Sequence, residues 1–201
     1  RWPRHSFRVL VFPQQRTQED YENLRLGENE AIAAGAFHVR EATPAKVTLT
    51  MEMHDGWKAE KAFSFSSPNE TFRIACDLKL MYAGKMPVKM NAGIELVVNF
   101  LAPDAPDRYI EVAGKRNPLR WSGAAPASQL RIVDEWQKVS VTVQAPEARH
   151  YWVAPIETIS ESEEGFERIY QGSQILAVWP VEFEPGHVWT GRLTFTVSPL
   201  R

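Results

Sequence analysis

The sequence predicts an all-β fold, an antiparallel β-sandwich with at most one or two short helices near the N-terminus. Three observations lead there. Apolar and polar residues alternate over many short runs, turn-forming residues separate those runs, and helix-like composition is confined to one early segment. Alternation of period two places successive side chains on opposite faces of a pleated chain, so each such run is a half-buried strand. No repeat of 20–50 residues is present, which argues against a propeller or solenoid.

The early segment is "TQEDYENLRLGENEAIAA", residues 17–34. Thr17 followed three residues later by Asp20 is an N-cap signal, and Gly27 suits the end of a short helix. Residues 1–35 therefore read as an N-terminal arm, and 36–201 as the sandwich, within a single domain. "VTLTMEMH" puts Val47, Leu49, Met51 and Met53 on one face. Asp55-Gly56 then turns the chain, and "WKAEKAFSF" returns as the hairpin partner. "TFRIACDLKLMY" aligns Phe72, Ile74, Cys76, Leu78, Leu80 and Tyr82. "GIELVVNFL" aligns Ile94, Leu96, Val98 and Phe100, and "VSVTVQ" aligns Val139, Val141 and Val143. "VWTGRLTFTV" points Trp189, Leu193, Phe195 and Val197 inward. Turn clusters fall at Pro68-Asn69, Ala102 to Asp107, Asn117-Pro118, Ala145-Pro146 and Pro185-Gly186.

Composition excludes several function classes. A formal charge of −2 leaves no electrostatic footprint for nucleic acid or an anionic membrane. No apolar run approaches the ~18 residues a transmembrane helix needs, and no basic-then-apolar leader is visible, so the expected location is the cytoplasm. The chain starts at Arg1 without Met, as a piece of a longer polypeptide would. Cys76 is the only cysteine, so it forms no internal disulfide and no cysteine zinc site; within an alternating run it reads as a buried, inert thiol. The five histidines lack ligand spacing, and no nucleophile elbow or phosphate loop occurs. No metal and no cofactor is expected.

Two features bear chemistry. Seven tryptophans give either core or flat surfaces for sugar rings. Trp152, Trp179 and Trp189 lie in strand-like runs and belong to the core, whereas Trp57, after a tight turn, and Trp121, in "NPLRWSGAAPAS", are the candidate platforms. The second feature is "PIETISESEEGFERIYQGS", residues 155–173, with Glu157, Glu161, Glu163, Glu164 and Glu167 inside eleven positions. Paired carboxylates cleave glycosidic bonds when held at fixed separation across a sugar, but the spacing fits no calcium loop. Ser160 and Glu163 stand at capping-box spacing, so a helical turn could begin there. Pro155, Ile156, Ile159, Gly165, Phe166, Ile169 and Tyr170 sit between the acids as apolar anchors for one loop shape. The segment reads either as a solvated acidic turn or as a functional loop.

The same segment resembles the signature of the C-terminal domain of glycoside hydrolase family 57 α-amylases and 4-α-glucanotransferases, in which Pro-Ile-Glu-Thr-Val-Ser-Gln-Ser-Glu-Gly-Gly-Phe-Glu is followed by Tyr-Gln-Gly. "PRHSF" at residues 3–7 is similar to the family's opening, "GIELVVNFLAPDAPDRY" at 93–109 to its Gly-Ile-Glu-Leu strand, and Trp179-Pro180 to its penultimate strand. Ile159, Glu161 and Glu164 depart from the usual Val, Gln and Gly. The resemblance implies a galactose mutarotase-like sandwich that carries no catalytic residue and packs on a catalytic (β/α) barrel, upstream or in trans, with an α-glucan or maltooligosaccharide as ligand. It makes Glu157, Ser160, Glu161, Ser162, Glu163, Gly165, Glu167 and Gln171 candidates for polar contact with the barrel or the glucan, and Phe166 and Tyr170 their anchors. Two other readings stand beside it: a free-standing carbohydrate-binding protein using Trp121 and Trp57, and a mutarotase-like epimerase pairing His150 with a loop glutamate.

Overall fold

The computed structural model describes residues 6–52, 56–162 and 165–200; strand makes up 62% of the structure and helix 5%. Two antiparallel sheets face each other. The five-stranded sheet has the order β1 (Arg8–Pro13), β6 (Val88–Val98), β13 (Gly165–Phe183), β12 (His150–Ser162) and β9 (Gly123–Ala125). The nine-stranded sheet has the order β2 (His38–Thr43), β3 (Lys46–Glu52), β4 (Trp57–Ser66), β5 (Phe72–Tyr82), β14 (Val188–Pro199), β11 (Val139–Gln144), β10 (Gln129–Asp134), β7 (Arg108–Val112) and β8 (Lys115–Pro118). This is the expected sandwich.

Alternation explains how the sheets close on each other. Val9 and Val11, Ala92, Ile94 and Leu96, and Ile175, Ala177 and Trp179 from the smaller sheet meet Leu78 and Leu80, Ile110, Ile132, Val141 and Val143, and Leu193 from the larger. Each buried side chain of this size contributes about 1.5–3 kcal/mol, so this layer dominates the stability. The smaller sheet is also covered on its outer face. There Leu10 and Phe12, Trp152, Leu176 and Val178 pack with Tyr21, Leu26 and Ala33 from the N-terminal segment. Strands covered on both faces need not alternate, and "SQILAVW" does not.

That cover consists of two short helices, α1 (Gln18–Glu22) and α2 (Glu30–Ala34). Thr17 caps α1 and forms a reciprocal capping box with Asp20, as the spacing predicts, while Asn29 caps α2. The end of α1 differs from expectation: Asn23 is its C-cap, and Gly27 serves the connection to α2 with a φ of 63°. The segment set apart as an N-terminal arm also supplies a strand, because β1 pairs with β6 from Arg8↔Glu95 to Pro13↔Met90. Inward-facing Phe72 is another correction. It lies at the end of β5 and is exposed, the sandwich being open there. Met53, His54 and Asp55 of the predicted first hairpin lie outside the described residues, though β3 and β4 pair as expected from Lys46↔Ser64 to Glu52↔Lys58.

One charge is sealed under the helices. Glu95 points to the outer face of the smaller sheet, where it meets Arg8 Nε at 2.9 Å and accepts a hydrogen bond from Tyr21 Oη at 2.9 Å, all three side chains being buried. Gly93, two residues earlier on the same face, leaves the room that Leu176 fills; a Cβ there would fall 2.7 Å from Leu176 Cδ1. The motif "GIEL" is thus a packing device: Gly93 and Glu95 serve the helix layer, and Ile94 and Leu96 the sandwich core.

Two predictions follow from this packing. Glu95→Ala leaves Arg8 buried without its counter-charge and is expected to cost about 3–5 kcal/mol in urea denaturation, whereas Glu60→Ala, at an exposed cluster with Lys79 and Arg40, is expected to change stability by less than about 1 kcal/mol. The second concerns Cys76, which is fully buried as expected; burial pushes its thiol from an ordinary 9.0 to about 12. Between those values the folded chain keeps a proton that the unfolded chain has lost. Stability from this group is therefore intact below pH 9 and falls as the pH rises toward 12, by at most about 4 kcal/mol. Urea midpoints measured from pH 8 to 11 should fall more steeply for the wild type than for Cys76→Ala.

Candidate functional site

The described residues of the signature segment form strand, not helix. β12 runs through Ser162 and β13 begins at Gly165, and the two pair along the whole length, from His150↔Val178 to Ser162↔Gly165. The helical start expected at Ser160 is overruled because the backbone groups of this stretch are already committed to cross-strand bonds. Glu163 and Glu164 lie outside the described residues.

The inner and outer halves of this hairpin have different surroundings. The inner half lies within the sheet: β13 pairs with β6 from Ser173↔Val98 inward, and β12 pairs with β9 at Tyr151 to Val153. From Glu157 and Gln171 outward, neither strand has a third neighbour among the described residues. The change occurs at a bulge, where Ile156 opposes Gly172 and Glu157 opposes Tyr170, leaving Gln171 as the extra residue. Six residues of β12 thus extend beyond the sheet as a two-stranded ribbon, about 20 Å long at ~3.3 Å per residue.

Register assigns each side chain to a face. One face carries Glu157 with Tyr170, Ile159 with Arg168, and Glu161 with Phe166; the other carries Thr158 with Ile169, and Ser160 with Glu167. The apolar members do not anchor the ribbon to its own chain, contrary to expectation. Phe166 is 80% exposed, Ile159 70% and Ile169 40%. Only Tyr170 does so, half-buried against the core. Ser173 Oγ donates its hydrogen to the Leu119 carbonyl at 2.9 Å, so Tyr170 Oη is the donor in its 2.7 Å bond to Ser173. Burial raises the Tyr170 hydroxyl above its ordinary value, and it stays protonated in this relay.

Glu157 is fully engaged. Arg120, from the connection between β8 and β9, binds its Oε1, and Arg168 Nη1 donates to its Oε2 at 3.4 Å. Arg120 also donates from Nε to Asp104 at 2.9 Å and lies over the Tyr170 ring. Burial pulls the Arg120 guanidinium down, but the two carboxylates more than offset it, and its pKa ends above the ordinary value. Sequence reading missed Arg120; only its proximity to Trp121 in a polar stretch drew notice there. Glu161 and Glu167 are exposed on opposite faces of the ribbon, so no pair of described glutamates here faces across a cleft. Gln171 donates to Thr158 Oγ1 at 3.1 Å, bracing the bulge.

The other candidates fall elsewhere. Trp57 is 5% exposed, wedged against Tyr82 and Phe183, and is core rather than platform. Trp121 is half-buried with its ring laid on the chain at Gly123, where a Cβ would sit 2.5 Å from Cζ2. Trp152 and Trp179 are buried, and Trp189 is half-buried against the core. His150 stacks on Trp152, and burial together with Arg149 lowers its pKa. It lies seven residues along β12 from Glu157, about 23 Å, so the two cannot converge on one substrate. Among the described residues no group of three or more His, Cys, Asp or Glu side chains could hold a metal ion, and no helix is long and apolar enough to cross a membrane.

Comparison with known proteins matches this geometry to relatives. The family model "Alpha-amylase/4-alpha-glucanotransferase, C-terminal" matches residues 1–193. Alpha-amylase 1 of Dictyoglomus thermophilum is 37% identical over 112 residues, which are 56% of this chain and 16% of that protein; the chain therefore corresponds to a small part of that relative. Among solved structures, the 4-alpha-glucanotransferase of Thermococcus litoralis superposes with a TM-score of 0.69 at 15% identity, covering 98% of this chain and 28% of the other. An aldose epimerase homologue from C. elegans superposes with a TM-score of 0.63 at 9% identity, covering 85% and 70%. At such identities the two structures establish the fold alone, a galactose mutarotase-like sandwich.

The clamp on Glu157 predicts how the ribbon responds to mutation. Arg120→Ala should loosen it without unfolding the sandwich. Hydrogen exchange at amides 157–161 and 166–171 is expected to accelerate by about tenfold, equivalent to about 1.4 kcal/mol of local opening, while residues 175–181 keep wild-type protection.

Proposed function

Because the chain belongs to the α-amylase/4-α-glucanotransferase C-terminal family, we propose that it is the non-catalytic sandwich of a larger α-glucan-acting enzyme, packing on that enzyme's catalytic barrel and helping to position the glucan. The ribbon of residues 157–171 carries the reading. A two-stranded hairpin is marginal in water on its own, and one that holds Phe166 and Ile159 in solvent gains stability by covering them. Contact of this kind with a catalytic domain buries the apolar pair and leaves Glu161, Glu167 and Ser160 at its rim, beside any sugar chain entering between the two. Its setting, on this reading, is the cytoplasm.

The arrangement of the acids supports a supporting role over a bond-breaking one. A glycosidic acid needs a free carboxyl held near its partner, and Glu157 is instead neutralised by two arginines. Epimerase chemistry on the sandwich is disfavoured by the separation of His150 from the ribbon. Platform binding through Trp57 loses its support with the burial of that residue, while Trp121 is half-buried.

The test uses the full-length enzyme. Phe166→Asp, which places a charge in the proposed contact, is expected to lower kcat/KM on maltooligosaccharides by about tenfold or more, a loss of ~1.4 kcal/mol, and to lower the melting temperature of the whole enzyme while leaving that of the 201-residue chain unchanged. Glu167→Ala probes the polar contacts, and Glu157→Ala the clamp that holds the ribbon, in the same assay. Wild-type activity and wild-type domain packing in all three variants would defeat the reading, as would hydrolysis or transfer of maltodextrin by the 201-residue chain alone.

A further inference from the structure

Trp136 occupies the turn between β10 and β11 and is 76% exposed, while the other described tryptophans are buried or half-buried. Nothing about the backbone beneath it is loose. Asp134, fully buried, accepts from the Gln137 amide at 2.8 Å and from Arg108 Nε at 3.2 Å. The Glu135 amide donates to the Asp107 carbonyl at 2.9 Å, and the Glu135 side chain accepts from Tyr109 Oη at 3.0 Å. The Lys138 carbonyl accepts from the Leu200 amide at 2.8 Å. The backbone on either side of Trp136 is fastened, and the indole projects into solvent beside the exposed side chains of Gln137 and Lys138. A large flat apolar surface on a pre-set backbone loses little entropy on binding.

Its surroundings select the ligand. Glu135, Gln137, Lys138 and Arg116 flank the turn, and Arg116 lies over the Tyr109 ring while pairing with Glu135 at 3.6 Å. Donors and acceptors are both present, and Glu135 is paired with Arg116, leaving Lys138 as the one further charge among these four. Such a rim suits a neutral polyhydroxylated chain whose ring faces are apolar and whose edges hydrogen-bond. A purely apolar protein partner would leave these groups without water.

Position supports the same ligand. β6 ends at Val98, which pairs with Ser173 at the base of the ribbon, and β7 begins at Arg108, which pairs with Asp134. The connection between them, residues 99–107, binds Arg120 of the ribbon clamp through Asp104 and the Trp136 turn through Asp107. Trp136 and the ribbon therefore rise from the same end of the sandwich.

We propose that Trp136 is a stacking platform for an α-glucan, a surface contact separate from the ribbon. The assignment of an α-glucan, rather than another neutral saccharide, rests on the function proposed above. Titration of the 201-residue chain with maltoheptaose, followed by tryptophan fluorescence and by retardation in gels cast with soluble starch, tests it. Wild type is expected to bind and to change its emission. Trp136→Ala should bind at least about tenfold more weakly with an unchanged thermal melt, Trp136→Phe should retain part of the affinity, and Phe166→Asp should bind as wild type. Absence of binding by the wild type, or equal binding by Trp136→Ala, overturns the platform. Loss of full-length activity in Trp136→Ala with saccharide binding intact overturns it too, in favour of a protein contact. Docking through the ribbon is read from Phe166→Asp in the full-length enzyme, so either idea can fail without the other.

Discussion

β13 is the strand on which the rest of the structure depends, because a backbone buried on both faces must find its hydrogen bonds within the sheet. From Ser173 to Val178 it is paired on one side with β6 and on the other with β12. Its side chains enter both the sandwich core and the layer beneath the helices. The prolines show where this double pairing stops. Pro180 follows the last pairing with β12 at Val178, and Pro155 follows the last pairing of β12 with β9 at Val153. A missing amide is tolerated at each because no third strand asks for it. From Gly172 outward the same two strands continue without a third strand among the described residues, so a single hairpin is sheet centre at one end and ribbon at the other.

Charge is used differently at the two ends. Glu95 is sealed beneath the helices with Arg8 and Tyr21, where removing one partner would strand an ion away from water. Glu157 lies at the boundary between sheet and ribbon, partly in solvent, held by Arg120 and Arg168. The first fixes the N-terminal segment on the sheet. The second, joined to the Tyr170–Ser173–Leu119 relay, sets the direction in which the ribbon leaves. Both acids serve structurally, each held by arginine.

Much of this was legible from alternation. Runs of period two identify strands and their inward faces, and the Thr17–Asp20 capping box reads directly from its spacing. What alternation cannot report is which residues find a neighbour. Phe166 and Ile159 look like anchors in a linear sequence, because spacing among polar residues is the same whether the apolar side chain is covered by its own chain or left for another. The capping-box spacing at Ser160 and Glu163 is equally real as a pattern, yet cross-strand pairing prevails over one turn of helix. Trp57 inverts in the same way, since it falls on the inner face of β4. Trp136, on which the linear pattern is silent, falls in a turn bound to its neighbours by Asp134 and Glu135. Arg120 carried no signal of its own, since a clamp formed by residues 104, 120, 157 and 168 exists only once the sheets are assembled.

The same sandwich occurs in an epimerase homologue and in a glucanotransferase, at low identity to this chain in both cases. The superposition spans most of the chain in both cases, so the sandwich itself does not distinguish them. At one end of it the ribbon, the 99–107 connection and the Trp136 turn are tied together by Asp104 and Asp107. Of the described histidines, His150 is remote along β12, and His38 and His187 belong to the β2 edge and the β13–β14 turn. Among the described residues this end presents Phe166, Ile159 and Trp136 to solvent. The sheet holds its polar networks taut beneath these side chains while leaving the side chains themselves exposed.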